Sequence, residues 1–169
     1  MLSAWLIFLA MIFDALDGFA ARILNAASMH GLQMDSLSDM VTFGLAPATI
    51  AAIMTHSLHP PTFWLNTAVY LLCAIYVGCA ALRLATYNVH ALLEKKSSDK
   101  FTGLPSPGAA AGICSVVIVW SKFETRLQPL AMWLPVYAAM LGLLMVSPIP
   151  YPHFAKWLLS VRRNPRRFA

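Results

Sequence analysis

The chain has 169 residues, 59% of them hydrophobic and 11% charged, less than half the roughly 25% charge of an ordinary soluble domain. That argues against a cytosolic enzyme, a disordered tail or a nucleic-acid binder. Twelve Lys and Arg against seven Asp and Glu give a formal charge of +5, which in so apolar a chain marks loops at an anionic membrane surface.

A helix needs about 20 mostly apolar residues to cross the hydrocarbon core. The first such segment runs from Met1 to about Leu24, carrying Asp14, Asp17 and Arg22 in its second half. It lacks the basic start and small-residue cleavage site of a signal peptide. The second spans about Gly31 to Thr55, with Asp35 and Asp39 in its first two turns. Phe63 to Asn88, Gly103 to Trp120 and Leu127 to Val146 make the third, fourth and fifth, and His59-Pro60-Pro61 and Ser147-Pro148-Ile149-Pro150 break the chain around them. The expected fold is one all-α polytopic bundle of about five spanning helices. Residues 1–150 are the transmembrane domain and 151–169 a basic amphipathic cytoplasmic tail, in which Trp157, Leu158 and Leu159 are followed by four arginines. Cys73, Cys79 and Cys114 have no metal-ligand spacing and read as packing residues.

Sidedness follows from the basic residues. With Arg22 facing the cytoplasm, a five-helix path places ten of the twelve Lys and Arg on that side, leaving only Lys122 and Arg126 outside. The chain is therefore expected in the cytoplasmic (inner) membrane, with membrane lipids around it and no nucleic acid as partner.

Four of the seven acids lie in apolar segments, where each costs about 2.5–3.5 kcal/mol at a helix centre on insertion scales. Asp14 and Asp17 are spaced i, i+3, and Asp35 and Asp39 i, i+4, so each pair shares one helix face. Two neighbouring helices with those faces inward gather four carboxylates, which repel unless divalent metal neutralises them. Oxygen donors without His or Cys favour magnesium, manganese or calcium. Other arrangements remain open: carboxylates paired singly with Arg22, Arg83 or backbone at helix ends, or an ion or proton pathway. The residues between the acids favour a diphosphate site. Gly18, Ala15, Ala20 and Ala21 keep the first helix thin and Gly31 opens the second. Arg22, one turn beyond Gly18, can fork onto a phosphate.

The spacing Asp14-x2-Asp17-Gly18-x2-Ala21-Arg22-x8-Gly31-x3-Asp35-x3-Asp39 fixes eight residues over 26 positions, and it resembles the signature of the CDP-alcohol phosphotransferase family at every one of them. Within that family the chain is most similar to the CDP-diacylglycerol–serine O-phosphatidyltransferases, or phosphatidylserine synthases. The similarity lies in Asp35-Ser36-Leu37-Ser38-Asp39, Phe43-Gly44-Leu45-Ala46-Pro47, Leu82-Arg83-Leu84-Ala85-Thr86-Tyr87-Asn88, Phe101 to Pro107, and Tyr151-Pro152-His153-Phe154. Phosphatidylglycerolphosphate synthases tend instead to have Pro and Lys where this chain has Ser36 and Met40.

The resemblance implies that Asp14, Asp17 and Asp35 bind two divalent ions, Mg2+ or Mn2+, that grip the diphosphate of CDP-diacylglycerol. It makes Asp39 a further metal ligand or the general base. Gly18, Ala21 and Gly31 would leave room for cytidine, with Arg22 on phosphate. Serine's hydroxyl would attack the phosphatidyl phosphorus and expel CMP. Arg83, Asn88 and Lys100 are candidates for holding L-serine, and the Gly103–Pro107 stretch either binds or simply turns the chain. The competing readings are the same chemistry on glycerol 3-phosphate or an inositol phosphate and, in a different class, a metal-ion or proton transporter. Family members commonly dimerise, so a homodimer is expected. They also normally carry another helix before the first Asp pair and further helices beyond the Tyr-Pro stretch, so the expectation is a short form, a mis-started reading frame or a truncated piece.

Overall fold

The computed structural model describes residues 2–24, 28–58, 62–93, 103–122 and 132–148. All regular structure among them is helical: α1 (Leu2–Ile23), α2 (Met29–Asp39), a π-helical turn (Met40–Leu45), α3 (Ala46–Leu58), α4 (Phe63–Leu93), α5 (Ser106–Lys122) and α6 (Leu134–Val146). Since α2, the π turn and α3 run on without a break, the described residues form five rods, the number expected.

Three stretches are long and apolar enough to cross a membrane, Leu2–Ala21, His30–Ser57 and Phe63–Val89, with shorter apolar helices at Ser106–Ser121 and Leu134–Val146. Size and burial run opposite to a soluble protein. Trp5, Leu9, Phe13, Trp64, Leu71 and Leu143 lie exposed, while Ala51, Ala80, Ala109, Ala110, Cys114 and Ala138 are buried. Lipid tails are as apolar as leucine, so large side chains gain little by turning inward; small ones let helix backbones approach and gain dispersion contacts. An exterior so rich in large apolar side chains belongs in a bilayer. The chain is an integral membrane helix bundle. The three cysteines are free and packed in it, as expected.

At the centre α6 packs along α4. A Cβ placed on Gly142 would lie 2.9 Å from the Tyr76 Cα, so only glycine permits this approach. Three helix starts fall later or earlier than the sequence suggested. The second rod begins at Met29 rather than Gly31, because Ser28 is its N-cap and its Oγ accepts from the Gly31 N–H at 3.0 Å. The fourth begins at Ser106 rather than Gly103, since Gly103 has φ of 89° and Pro105 disfavours helix at the residue before it. The third runs past Asn88 to Leu93, and the last starts only at Leu134, with Pro135 in the first turn where its missing N–H costs nothing.

The π turn has a local cause. Pro47 has no N–H for the carbonyl of Phe43 four residues earlier, and the N–H of Ala46 reaches back five residues to the Val41 carbonyl. One extra residue in a turn changes the phase of the helix by about 100°. The faces of α2 and α3 are therefore not continuous, and α2 presents its acids independently of how α3 packs.

Candidate active site

Asp14 and Asp17 stand one turn apart on α1, and Asp35 and Asp39 one turn apart on α2. One carboxylate oxygen from each of Asp14, Asp17 and Asp35 comes together, all within 4.8 Å of one another. Asp39 joins through Asp14, whose carboxyl is in hydrogen-bond contact with its own. The two pairs thus converge on one another, as the i, i+3 and i, i+4 spacing required. Asp14 and Asp39 are half-buried, whereas Asp17 and Asp35 are exposed. The cluster is a rim at the helix ends, open to water-soluble reactants on one side.

The donor set suits a hard divalent cation. Three carboxylate oxygens this close repel strongly unless a positive charge sits among them. Their mutual distances are near those that ligands at about 2.0–2.6 Å from one ion would have. No ion pair to these aspartates is seen among the described residues.

Along α4, an antiparallel series of contacts holds the second rod in register. Asn88 Oδ1 lies 3.0 Å from Ser36 Oγ, between Asp35 and Asp39 in sequence. The Ser36 hydroxyl also sits 3.0 Å from the Leu32 carbonyl. Its single proton cannot serve both acceptors, so the contact is satisfied when Asn88 turns its NH2 toward Ser36. One and a half turns earlier, Arg83 lies close enough to Asp39 for their charges to interact. Its Nη1 donates to Ser106 Oγ at 2.7 Å, and its Nε is buried with no partner among the described residues. Further on, Tyr76 donates from its hydroxyl to the Phe43 carbonyl at 2.7 Å, and the Cys73 thiol reaches the Ala48 carbonyl at 3.4 Å.

The other expected positions divide. Gly18 and Ala21 are half-buried on α1 beside the acids, and Gly31 is exposed in the first turn of α2. Arg22 lies on α1, but its side chain is outside the described residues, as are Lys100 and the tail from 151 to 169. Gly103 and Leu104 turn the chain. The Leu104 N–H donates to the Leu144 carbonyl at 3.2 Å, and a Cβ on Gly103 would come within 2.2 Å of the Met145 carbonyl oxygen. That tie to α6 sets Ser106 against Arg83. Tyr76 was not singled out from the sequence; Ser36 entered only as a position that distinguishes the family's subgroups, and Ser106 only as part of the Gly103–Pro107 stretch. Only Ser106, a hydroxyl directly before Pro107 at a helix start, carried a local signal.

The chain matches the CDP-alcohol phosphatidyltransferase family over residues 1–150. It is 32% identical over 164 residues to a Helicobacter pylori protein named CDP-diacylglycerol–serine O-phosphatidyltransferase, covering 95% of this chain and 65% of that one. A Bacillus subtilis protein of the same name is 37% identical over 151 residues, covering 89% of this chain and 74% of that one. One from Methanocaldococcus jannaschii is 34% identical over 152 residues, covering 88% and 63%. The chain therefore spans about 65% of the length of the Helicobacter relative. No solved structure matches it.

Proposed function

Because the chain belongs to the CDP-alcohol phosphatidyltransferase family, we propose that it moves the phosphatidyl group of CDP-diacylglycerol to the hydroxyl of L-serine, releasing CMP. The observation that carries this reading is the convergence of Asp14, Asp17, Asp35 and Asp39 from two helices. The choice of serine rests on the printed names of the relatives.

Asp14, Asp17 and Asp35 are the residues to hold divalent metal, with Asp39 beside them. A bound Mg2+ or Mn2+ supplies neutralising charge for the diphosphate and for the oxygens that gain charge during displacement. The rest falls to the chain. Gly18 and Ala21 offer no bulk where the nucleotide must lie against α1, and Arg22 is the residue for a phosphate oxygen. Asp39 accepts the proton of the serine hydroxyl, since an alcohol is a poor nucleophile until a base takes it. The serine oxygen then bonds to the phosphatidyl phosphorus as the bond from phosphorus to the CMP oxygen breaks; the proton stays on Asp39 until water removes it. Arg83 and Asn88, on the α4 face beside Asp39, are the residues to orient serine. Arg83 suits its carboxylate because a guanidinium offers a planar fork of donors.

The rim position of the acids supports a site where soluble serine enters and CMP leaves while the acyl chains stay in lipid. The ten-to-two excess of basic residues supports placing that rim at the cytoplasmic face of the inner membrane. The test is CMP release by the purified protein in liposomes with CDP-diacylglycerol and Mg2+ or Mn2+, offering L-serine, glycerol 3-phosphate and inositol phosphate separately. Serine-dependent release supports the reading. Release with another acceptor keeps the displacement and removes serine, and no release with any acceptor overturns the assignment.

A further inference from the structure

Tyr76 sits at the middle of α4, wholly buried, with its hydroxyl 2.7 Å from the carbonyl of Phe43, itself 1% exposed. That carbonyl is the one to which Pro47 has no N–H to give. It lies in the π turn that directly follows Asp39. A buried carbonyl short of a helical donor is costly, and a side-chain hydroxyl from a neighbouring helix is an effective replacement. Tyr76 cannot drift from this position, since α6 approaches its backbone so closely that Gly142 has no room for a Cβ. Ala80, one turn on, fills the space against Gly44, within 3.5 Å of where a Cβ would stand. The turn is thus held from outside, at a carbonyl that Pro47 cannot serve.

We propose that Tyr76 is a positioning residue for the carboxylate cluster: by bonding the Phe43 carbonyl it fixes the π turn, and with it the rotation of α2 that brings Asp35 and Asp39 to Asp14 and Asp17. The inference rests on the reading of the cluster as a metal site, but not on serine as acceptor or on turnover. Without the hydroxyl, the winding of the turn is no longer fixed from outside. The phase of α2 then shifts relative to α3, and the four oxygens no longer meet.

The test is Mn2+ titration of the full chain in detergent, following the free-ion electron paramagnetic resonance signal, with thermal unfolding measured on the same samples. The proteins are wild type, Tyr76→Phe and Thr55→Val. Thr55 is a buried residue of α3 whose hydroxyl bonds the Ala51 carbonyl, away from the turn. Tyr76→Phe is expected to weaken Mn2+ binding about tenfold, the low end for loss of a partner outside the ligand shell. Thr55→Val should lose comparable thermal stability and bind Mn2+ as wild type does. Equal Mn2+ affinity in Tyr76→Phe and wild type overturns the proposal, as does an equal loss in both variants.

A second measurement keeps the test decisive if Tyr76→Phe is poorly stable. Pro47→Ala returns an N–H to the Phe43 carbonyl and removes the cause of the π turn, so it should weaken Mn2+ binding by itself, and removing the Tyr76 hydroxyl in that background should change the affinity less than threefold further. A further tenfold loss there overturns the proposal. CMP release separates this inference from the proposed function. A wild type that binds Mn2+ but releases no CMP with any acceptor loses the function, and the Mn2+ comparison still decides Tyr76. A wild type that binds no Mn2+ removes the metal site and this inference together.

Discussion

Asp39 differs from the other three acids in its neighbours: it touches Asp14 on one side and faces Arg83 on the other. The base proposed to take a proton from serine has to lie between the residues proposed for the acceptor and those proposed for metal, and Asp39 lies between Arg83 and Asp14. Asp39→Asn keeps an oxygen but cannot accept the proton, so turnover should fall about 10²–10⁴-fold while Mn2+ affinity changes several-fold at most. Asp14→Ala, in contrast, removes the carboxylate that links Asp39 to the other two. It should weaken Mn2+ and CDP-diacylglycerol binding together, measured by titration and by retention on lipid vesicles. Arg83→Gln should raise the KM for serine more than it lowers kcat. A drop in kcat alone would mean that Arg83 serves the Asp39 charge rather than the serine carboxylate. These residues were legible because Asp is so costly in apolar helix that its presence needs a reason, and because i, i+3 and i, i+4 spacing fixes a shared face without knowledge of the fold.

At the scale of elements, legibility fell away wherever a helix depends on something distant. The boundaries of the apolar rods could be read to within a few residues, since length and hydropathy alone set them. Ser28 as an N-cap was locally available, yet Gly31 drew attention as the opening residue. The π turn was not readable: Pro47 explains the missing bond, but the donor that replaces it comes from Tyr76, 33 residues away. Nor did Gly142 stand out, because its role is set by the approach of α4, not by its own neighbours in sequence. Both closely packed glycines yield predictions. Gly142→Val should lower stability by about 1–3 kcal/mol through overpacking against Tyr76. Gly103→Ala should cost a similar amount, because φ of 89° and the Met145 carbonyl both oppose a Cβ. Thermal unfolding in detergent reads each change.

For the whole molecule, sidedness and metal dependence are the properties to measure. In a background without native cysteines, Ser28→Cys at the acidic end should label with an impermeant thiol reagent only after the cytoplasmic face is opened. Ser57→Cys, near the far end of the same rod, should label from outside. The reverse pattern would put the site across the membrane from soluble CMP. Divalent metal should raise the unfolding temperature in proportion to the logarithm of its concentration above Kd, and a chelator should reverse the rise. The rise should vanish in Asp14→Ala.

Helix α1 buries 11% of its apolar window, against 33% and 28% for the two longer spans, yet it supplies half of the carboxylates. Side chains near its start, Ala4 and Ile7, anchor it in the core, whereas the acids sit in its second half. The acidic end of this rod is therefore the less anchored arm of α1. The like charges on α2 oppose its docking, and a cation among the carboxylates favours it. Occupancy of the site and docking of the arm are one equilibrium seen from two directions, each strengthening the other by the same factor. A substitution on the inner face of α1 far from any aspartate, such as Ile7→Ala, should then lower metal affinity without touching a ligand.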